Sequence, residues 1–150
     1  MPIHIRQATI DDLEQVAPLF DAYRQFYGQP ADIALARGFL AERFQHQQSI
    51  IFVAVDEAGA AAGFTQLYPS FSSVSAQRVY VLNDLFVVPG ARRKGVAACL
   101  LRQAAQFGRA NGAVRLSLST ALNNAAAQKL YESMGWQRDE KFCHYDLPLQ

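Results

Sequence analysis

The 150-residue sequence predicts a mixed α/β fold that forms a single domain over residues 1–150. A chain of this length can bury one sizeable hydrophobic core and is short for two. Its 51% of hydrophobic and 18% of charged residues are typical of a globular protein. Segments of two-residue and 3.6-residue periodicity follow one another along the chain, which favours strands and helices in one domain. The predicted order is β α α β β β α β α β β.

The N-terminal half is predicted to supply the first strands and two helices. Strands are expected at residues 3–6, 49–55 and 62–68. A first helix is expected to begin after Thr9, which can cap it, and to run to Gly28. A second helix follows Asp32, with apolar residues at helical spacing up to position 44. The turn at 56–59 joins two strands, and the serine-rich segment 69–75 is predicted to be a mobile loop.

The C-terminal half begins with a long apolar strand that two polar residues interrupt. The strand is expected at 79–88, and Asn83 and Asp84 lie in its middle. A buried strand rarely carries such a pair, so we consider a functional role for it alongside that of a satisfied buried carboxylate. The remaining helices are expected at 96–110 and 124–134, and the remaining strands at 114–120 and within 136–147.

The charges of the chain are unevenly distributed although their sum is close to zero. Residues 1–75 contain four arginines and eight acidic residues, a net charge of −4. Residues 76–150 contain ten basic and five acidic residues, a net charge of +5. This asymmetry indicates an anionic partner for the second half, and a solvated basic face is the alternative.

The strongest local motif joins the end of the long strand to the start of a helix. Its sequence, Arg92-Arg93-Lys94-Gly95-Val96-Ala97, places three basic residues and a glycine beside the helix N-terminus. Unpaired N–H groups and the positive end of the helix dipole favour an anion at such a position. The segment matches neither the Walker A nor the dinucleotide-binding pattern. It is therefore interpreted as a pyrophosphate site, with an ordinary basic turn as the alternative.

The chain resembles the Gcn5-related N-acetyltransferase (GNAT) family in two motifs. Residues 92–97 match the coenzyme loop of that family, [QR]-x-x-G-x-[GA]. The second family motif, N-x-x-A-x-x-L-Y-x-x-x-G-[FW], is met by Asn124, Ala127, Leu130, Tyr131, Gly135 and Trp136. Segments 23–27, 82–87 and 120–131 resemble the yeast histone- and polyamine-acetylating branch, and the diamine acetyltransferases are also similar.

This resemblance implies a fold and a cosubstrate. The expected fold is a central mixed sheet of about seven strands, splayed into a V and flanked by about four helices. Acetyl-CoA is the implied cosubstrate, and no metal is expected. The residues implied to bind it are Phe86, Val87, Val88, Arg92, Arg93, Lys94, Gly95, Val96, Ala97, Asn124 and Ala127. Among them, residues 86–88 are implied to offer backbone N–H groups to the thioester carbonyl.

The resemblance also implies catalytic roles for three residues. Tyr131 matches the usual general acid of the family, which protonates the leaving thiolate. Diamine acetyltransferases have Glu-Asp where this chain has Asn83-Asp84, and asparagine is no base, so Asn83 is expected to orient a water instead. Tyr23 and Tyr27, with Asn83 and Asp84, are expected to bind the acceptor. Core packing is the alternative for the three tyrosines.

We therefore predict an N-acetyltransferase that acts on a primary amine of a cationic acceptor such as a polyamine, a diamine or a lysine-like side chain. The alternative is an acyl-CoA-binding sensor module of the same fold with little or no catalysis. No stacking aromatic residues accompany residues 92–94, so a nucleic-acid partner is not expected. A homodimer through a terminal strand at 142–147 is expected from the resemblance.

Several other classes of function are excluded or disfavoured by the sequence. No apolar segment approaches 18 residues, so no membrane partner is expected. The three histidines have no metal-ligand spacing. The two cysteines, Cys99 and Cys143, form no C-x-x-C pair and no secretory leader is recognised, which predicts reduced thiols and a cytoplasmic location.

Overall fold

The computed structural model describes residues 2–150, and the chain divides into two compact units. The first unit, Met1–Ser119, contains a five-stranded sheet and three α-helices. The second unit, Thr120–Gln150, contains one α-helix. The predicted mixed fold class is confirmed.

The strands are β1 (His4–Gln7), β2 (Ile50–Val55), β3 (Ala61–Ser72), β4 (Gln77–Val87) and β5 (Ala113–Ser117). The α-helices are α1 (Leu13–Phe26), α2 (Ile33–Gln45), α3 (Val96–Ala110) and α4 (Ala125–Ser133). Two short 3₁₀ turns, Ile10–Asp12 and Pro89–Ala91, precede α1 and α3 respectively. As far as α4, the elements follow the predicted order.

The sheet has the order β1-β2-β3-β4-β5. The first four strands pair antiparallel, whereas β5 lies parallel to β4. The ladder between β4 and β5 ends at the pair Val81 and Ser117, although β4 continues to Val87. The second half of β4 therefore has a free edge on its β5 side.

The two faces of the sheet are covered by different helices. One face packs against α1 and α2, where Val16, Leu40 and Phe64 are fully buried. On the other face, the ring of Phe107 in α3 lies 5.5 Å from the ring of Phe52. Consecutive strand residues point to opposite faces of the sheet, so the side chains of β2 pack on both sides of it. This explains why every residue of β2 is apolar.

Two helix starts are fixed by local capping as the sequence predicted. The Thr9 hydroxyl oxygen accepts a hydrogen bond from the Asp11 backbone amide, and the Thr9 backbone amide donates to the Asp12 carboxylate. The Asp32 carboxylate accepts from the Leu35 amide at 3.1 Å. Both side chains satisfy N–H groups that the first turn of a helix leaves unpaired.

Two predictions about the strands are wrong. Residues 2–150 contain five strands where about seven were expected, since residues 136–147 contain no strand. A strand needs a neighbour for its backbone groups, and the apolar side chains of this segment, such as Phe142 and Leu147, are exposed.

The predicted mobile loop at 69–75 is strand as far as Ser72. Pro69 is tolerated there because β2 pairs with β3 only up to Leu67, so the missing N–H breaks no ladder.

Candidate active site

The polar pair in β4 lies at an irregularity of the sheet. Gln66 pairs with Asp84 and the next residue, Leu67, pairs with Leu82, so Asn83 has no partner in β3. Such a bulge places one extra residue in a strand and changes the direction of its side chains. As a result Asn83 is exposed, whereas Asp84 points into the protein with only 2% of its surface accessible.

The Asp84 carboxylate is held by amide groups and by no cation. Asn83 Nδ2 donates to Oδ1 at 2.8 Å, and Gln66 Nε2 donates to Oδ2 at 2.5 Å. No ion pair formed by residues 2–150 includes Asp84. A buried carboxylate without a positive partner is costly in free energy, so burial favours its protonated form, and a nearby cation would favour its ionised form.

Burial dominates the titration of this group and of the phenols beside it. Burial raises the pKa of Asp84, and hydrogen bonds from Asn83, Gln66 and Tyr23 offset the rise in part. Burial and the Asp84 charge raise the pKa of Tyr68 to about 12, while Arg43 acts in the opposite direction. The pKa of Tyr23 is also raised, first by burial and then by Asp84. Both tyrosines are therefore neutral hydrogen-bond donors at physiological pH.

Tyr23 joins helix α1 to the bulge. Its hydroxyl donates to the main-chain oxygen of Asn83 at 3.1 Å. Its ring lies 5.0 Å from that of Tyr27 and 6.5 Å from that of Phe86, measured between centroids. Tyr27 is 56% exposed. The structure thus brings the predicted acceptor residues Tyr23, Tyr27, Asn83 and Asp84 together.

The end of β4 offers a backbone donor at the free edge. The Val88 amide donates to the Ala62 oxygen in β3 at 2.9 Å, whereas the Val87 oxygen points away and accepts from Arg92. The N–H and C=O groups of one strand residue point to the same side, so the Val87 N–H faces the opening beside β4. Among residues 86–88, Val87 therefore best fits the expected N–H donor.

The loop before α3 has the geometry of an anion site. Arg93 and Gly95 adopt φ angles of 62° and 79°, and Gly95 stands at the cap position of α3. Within the described range 2–150, no side chain caps this helix, and its first turn contains no acidic residue. The first backbone bond of the helix runs from Cys99 to the Gly95 oxygen, so the amides of Val96 and Ala97 precede the helical ladder. With Arg93 and Lys94 exposed, this loop fits a pyrophosphate.

Arg92 has contacts that differ from those of its two basic neighbours. Its Nε donates to the Val87 oxygen at 2.9 Å. Its guanidinium carbon lies 5.9 Å from the ring centroid of Phe26 and 5.7 Å from that of Phe86. Arg92 therefore connects the loop to the main chain of β4 and to an aromatic ring of α1.

In the second unit, α4 displays the other predicted residues. The Asn124 side chain caps this helix and accepts from the Ala127 amide at 3.1 Å. Tyr131 is half-buried, and its ring centroid lies 6.0 Å from that of Trp136. Asn124 therefore acts as a helix cap, and the roles of Asn124, Ala127 and Tyr131 toward a ligand stay predictions.

Sequence reasoning missed the polar residues of β3 that surround Asp84. Thr65 and Gln66 are both fully buried, and Thr65 Oγ1 donates to the Asp84 main-chain oxygen at 2.7 Å. Gln66 accepts in turn from Ser49 Oγ at 2.8 Å. The signal in the sequence was the polar pair Thr65-Gln66 in the middle of an apolar strand. The next strand contains a second such pair, Asn83-Asp84.

The family assignment comes from comparison with known proteins. The sequence profile of the acetyltransferase (GNAT) family matches residues 13–136. The chain belongs to this family. It is an acetyl-CoA-dependent N-acetyltransferase. The family resemblance of the two motifs is thereby confirmed, and the finer likeness to the yeast branch stays a prediction.

Three similar proteins illustrate the range of the family. An uncharacterized N-acetyltransferase of Bacillus subtilis (strain 168), YhfO, is 48% identical over 145 residues, which are 97% of each chain. The crystal structure of a probable acetyltransferase is 46% identical, covers 98% of each chain and has a TM-score of 0.93. An aminoglycoside N-acetyltransferase in complex with CoA is 27% identical, covers 97% of this chain and 95% of its own, and has a TM-score of 0.76.

The clustering of possible metal ligands and the apolar character of the helices bear on metal and membrane binding. Among residues 2–150, no three His, Cys, Asp or Glu side chains cluster in a way that would hold a metal ion. In the same part of the chain, no helix combines the length and the apolar character needed to cross a membrane.

Proposed function

We propose that this enzyme transfers the acetyl group of acetyl-CoA directly to a primary amine of a cationic acceptor. The observation that carries the proposal is the Asp84 carboxylate, which is buried without a positive partner beside exposed Asn83 and Tyr27. At an effective dielectric constant of about 20, an ammonium about 4 Å away would gain roughly 4 kcal/mol from such a charge. The net charge of −4 on residues 1–75 favours the same class of acceptor.

The coenzyme would be held by the loop before α3. The amides of Val96 and Ala97, with Arg93 and Lys94, supply donors and positive charge for the pyrophosphate. Gly95 gives the loop its left-handed turn, and no protein atom lies within 4 Å of the position of its missing Cβ. The family resemblance implies that Asn124 and Ala127 of α4 also bind the coenzyme.

The acetyl group would be polarised at the free edge of β4. In the reaction, the amine nitrogen forms a bond to the carbonyl carbon and the carbon–sulfur bond breaks. The Val87 N–H faces this edge and can stabilise the negative charge that develops on the carbonyl oxygen. Tyr131 would give its phenolic proton to the leaving thiolate, as the resemblance implies.

The acceptor must lose a proton before it attacks. An amine of pKa about 10 is mostly protonated at pH 7, and deprotonation costs about 4 kcal/mol. Asn83 is exposed and has no acid–base function, so its amide would orient a water that carries the proton away. Asp84 would bind the acceptor by attracting its ammonium group and would stay ionised during the reaction.

Polyamines, diamines and lysine-like side chains all fit this description. The similarity to an aminoglycoside N-acetyltransferase adds aminoglycosides, which are also amines of high positive charge. A neutral or anionic amine lacks the attraction to Asp84 and is expected to react more slowly.

A thiol-release assay with acetyl-CoA tests this proposal. The panel contains spermidine, putrescine, a lysine peptide, an aminoglycoside, glutamate and an aromatic amine that is uncharged at pH 7. We expect the highest kcat/KM for a polycationic amine, and an apparent KM that rises with salt because exposed charges are screened over about 8 Å at physiological ionic strength. A neutral or anionic best substrate with a salt-independent KM would contradict the assignment.

We also propose that the enzyme is a cytoplasmic homodimer. The support for a dimer is the exposed apolar side chains of the C-terminal segment, which include Phe142, Tyr145 and Leu147. The support for the location is two free cysteines, Cys99 and Cys143. Light scattering after size exclusion measures the mass, and a mass of about 17 kDa at all concentrations would contradict the dimer.

A further inference from the structure

The side chains around Asp84 form a directed chain of hydrogen bonds. Ser49 Oγ donates to Gln66 Oε1, and Gln66 Nε2 donates to Asp84 Oδ2. Asn83 Nδ2 donates to the other carboxylate oxygen. Gln66 is fully buried and stands directly opposite Asp84 in the ladder of β3 and β4.

The direction of these bonds depends on the charge of Asp84. An ionised carboxylate can only accept hydrogen bonds, so the NH₂ group of Gln66 faces Asp84 and its oxygen is left to accept from Ser49. Both carboxylate oxygens then accept N–H bonds, which the ionised form can do best. The reverse arrangement, with Gln66 Oε1 toward Asp84, would require a protonated carboxyl group. Hydrogen bonds from these amides oppose the effect of burial, which favours the protonated form.

We propose that Gln66, held in place by a hydrogen bond from Ser49, is a positioning residue that keeps Asp84 ionised and so determines the pH range in which the enzyme binds its cationic acceptor. This inference rests on the proposed function, since it assigns the Asp84 charge to acceptor binding. The other titratable groups that face Asp84 are Tyr23 from α1 and Tyr68 from β3, and Arg43 of α2 acts on Tyr68. Because the pKa values of both tyrosines are raised, neither phenol changes charge at or below neutral pH, and Asp84 is the group in this set whose charge responds to acid.

The variant Gln66→Met keeps the approximate size of the side chain and removes the donor. We expect the acid limb of the pH profile of kcat/KM for spermidine to move upward by about one pH unit. At a pH on that limb, kcat/KM should fall about tenfold while the affinity for coenzyme A stays within about twofold. The same amine is used throughout, so its own protonation contributes equally in every variant.

Thr65→Val is the matched control. Thr65 is the neighbouring residue, it is equally buried, and its hydroxyl donates to the main-chain oxygen of Asp84 and not to the carboxylate. We expect this variant to lose stability without a shift of the acid limb. An equal shift in both variants would overturn the proposal, because a general loosening of the strands would then explain it.

Ser49 provides a second and milder test should Gln66→Met fail to fold. Ser49→Ala removes the hydrogen bond that holds the Gln66 amide in place and should shift the acid limb in the same direction. Ser49→Thr keeps the hydroxyl and should leave the acid limb as in the wild type. An unshifted limb in Ser49→Ala would then overturn the role of the chain of hydrogen bonds.

A direct readout separates this inference from the proposed function. The ¹³C signal of the Asp84 carboxyl group, followed by NMR against pH, should titrate at higher pH in Gln66→Met than in the wild type. If it does and no cationic amine is acetylated, the positioning role stands and the acceptor assignment fails. If cationic amines are acetylated and the carboxyl signal titrates identically in both proteins, the positioning role is refuted.

Discussion

Replacement of Gly63 by alanine tests how closely β3 must approach β4 at the proposed N–H donor. Gly63 pairs with Val87, and a Cβ atom at this position would lie 2.7 Å from the Phe86 oxygen and 3.3 Å from the Val87 Cα. Both neighbours are backbone atoms, so no side-chain rotation can relieve the contact. The two strands would have to separate by about 0.3 to 0.7 Å to reach the 3.0 to 3.4 Å range.

This displacement has a cost in stability and a cost in activity. Overpacking of this kind costs about 1–3 kcal/mol, and the lower backbone entropy of unfolded alanine returns about 0.5–1 kcal/mol. The net loss lies at roughly 0–2.5 kcal/mol, and its midpoint of about 1.2 kcal/mol corresponds to a Tm decrease of about 2–5 °C. Because a 1 Å error in a reacting geometry can cost about 100-fold, we expect kcat to fall roughly tenfold.

The matched control is Gly108→Ala in α3. Its Cβ would meet the flexible end of the Leu116 side chain at 3.2 Å, and alanine is about 1 kcal/mol better than glycine inside a helix. Thermal unfolding and thiol-release kinetics compare the two variants. A Gly63→Ala protein with wild-type Tm and kcat would refute the close approach of the strands as a requirement of the site.

The remaining predictions concern the coenzyme loop, the proposed acid and the buried carboxylate. Gly95→Glu should abolish binding of coenzyme A in calorimetry without unfolding the protein, and unchanged affinity would disprove the loop assignment. Arg93→Ala should weaken the binding of coenzyme A several-fold and reduce its dependence on salt. Arg92→Lys should lower kcat and leave the affinity for coenzyme A within about twofold of the wild type. Equal losses of affinity in the two variants would argue against separate roles for the two arginines. Tyr131→Phe should lower kcat about 100-fold at unchanged coenzyme affinity, and full turnover at every pH would reduce this residue to packing. Burial raises the pKa of Asp84 in the folded state above its value in the unfolded chain. The free energy of unfolding of the wild type, compared with that of Asp84→Asn in urea, should therefore decrease as the pH rises from the unfolded to the folded pKa. An increase over that interval would contradict the direction of the shift.

Features that depend on nearby residues were predictable from the sequence. Thr9, Asp32 and Asn124 each cap a helix a few residues further along, so the signal and the structure lie in the same short segment. The loop 92–97 was recognised for the same reason. The polar pair Asn83-Asp84 also stood out, because an apolar strand surrounds it.

Features that depend on strand pairing were not predictable. The role of Gln66 follows from its register opposite Asp84, and the bulge at Asn83 sets that register. The hydrogen bond from Arg92 to the Val87 oxygen was likewise not foreseen, and the expected binding of Arg92 to the coenzyme stays a prediction. The expected terminal strands failed because alternation of apolar residues, as in 142–147, does not supply a neighbouring strand.

The most direct test of the central claim is the discrimination between a strongly basic and an uncharged amine in the wild type and in Asp84→Asn. The measurement is the ratio of kcat/KM for spermidine to that for an aromatic amine, taken at saturating acetyl-CoA and low salt. We predict a ratio well above one in the wild type and a fall of about tenfold or more in the variant, with coenzyme affinity unchanged. A ratio that is the same in both proteins would contradict the assignment of Asp84 as the charge that selects the acceptor.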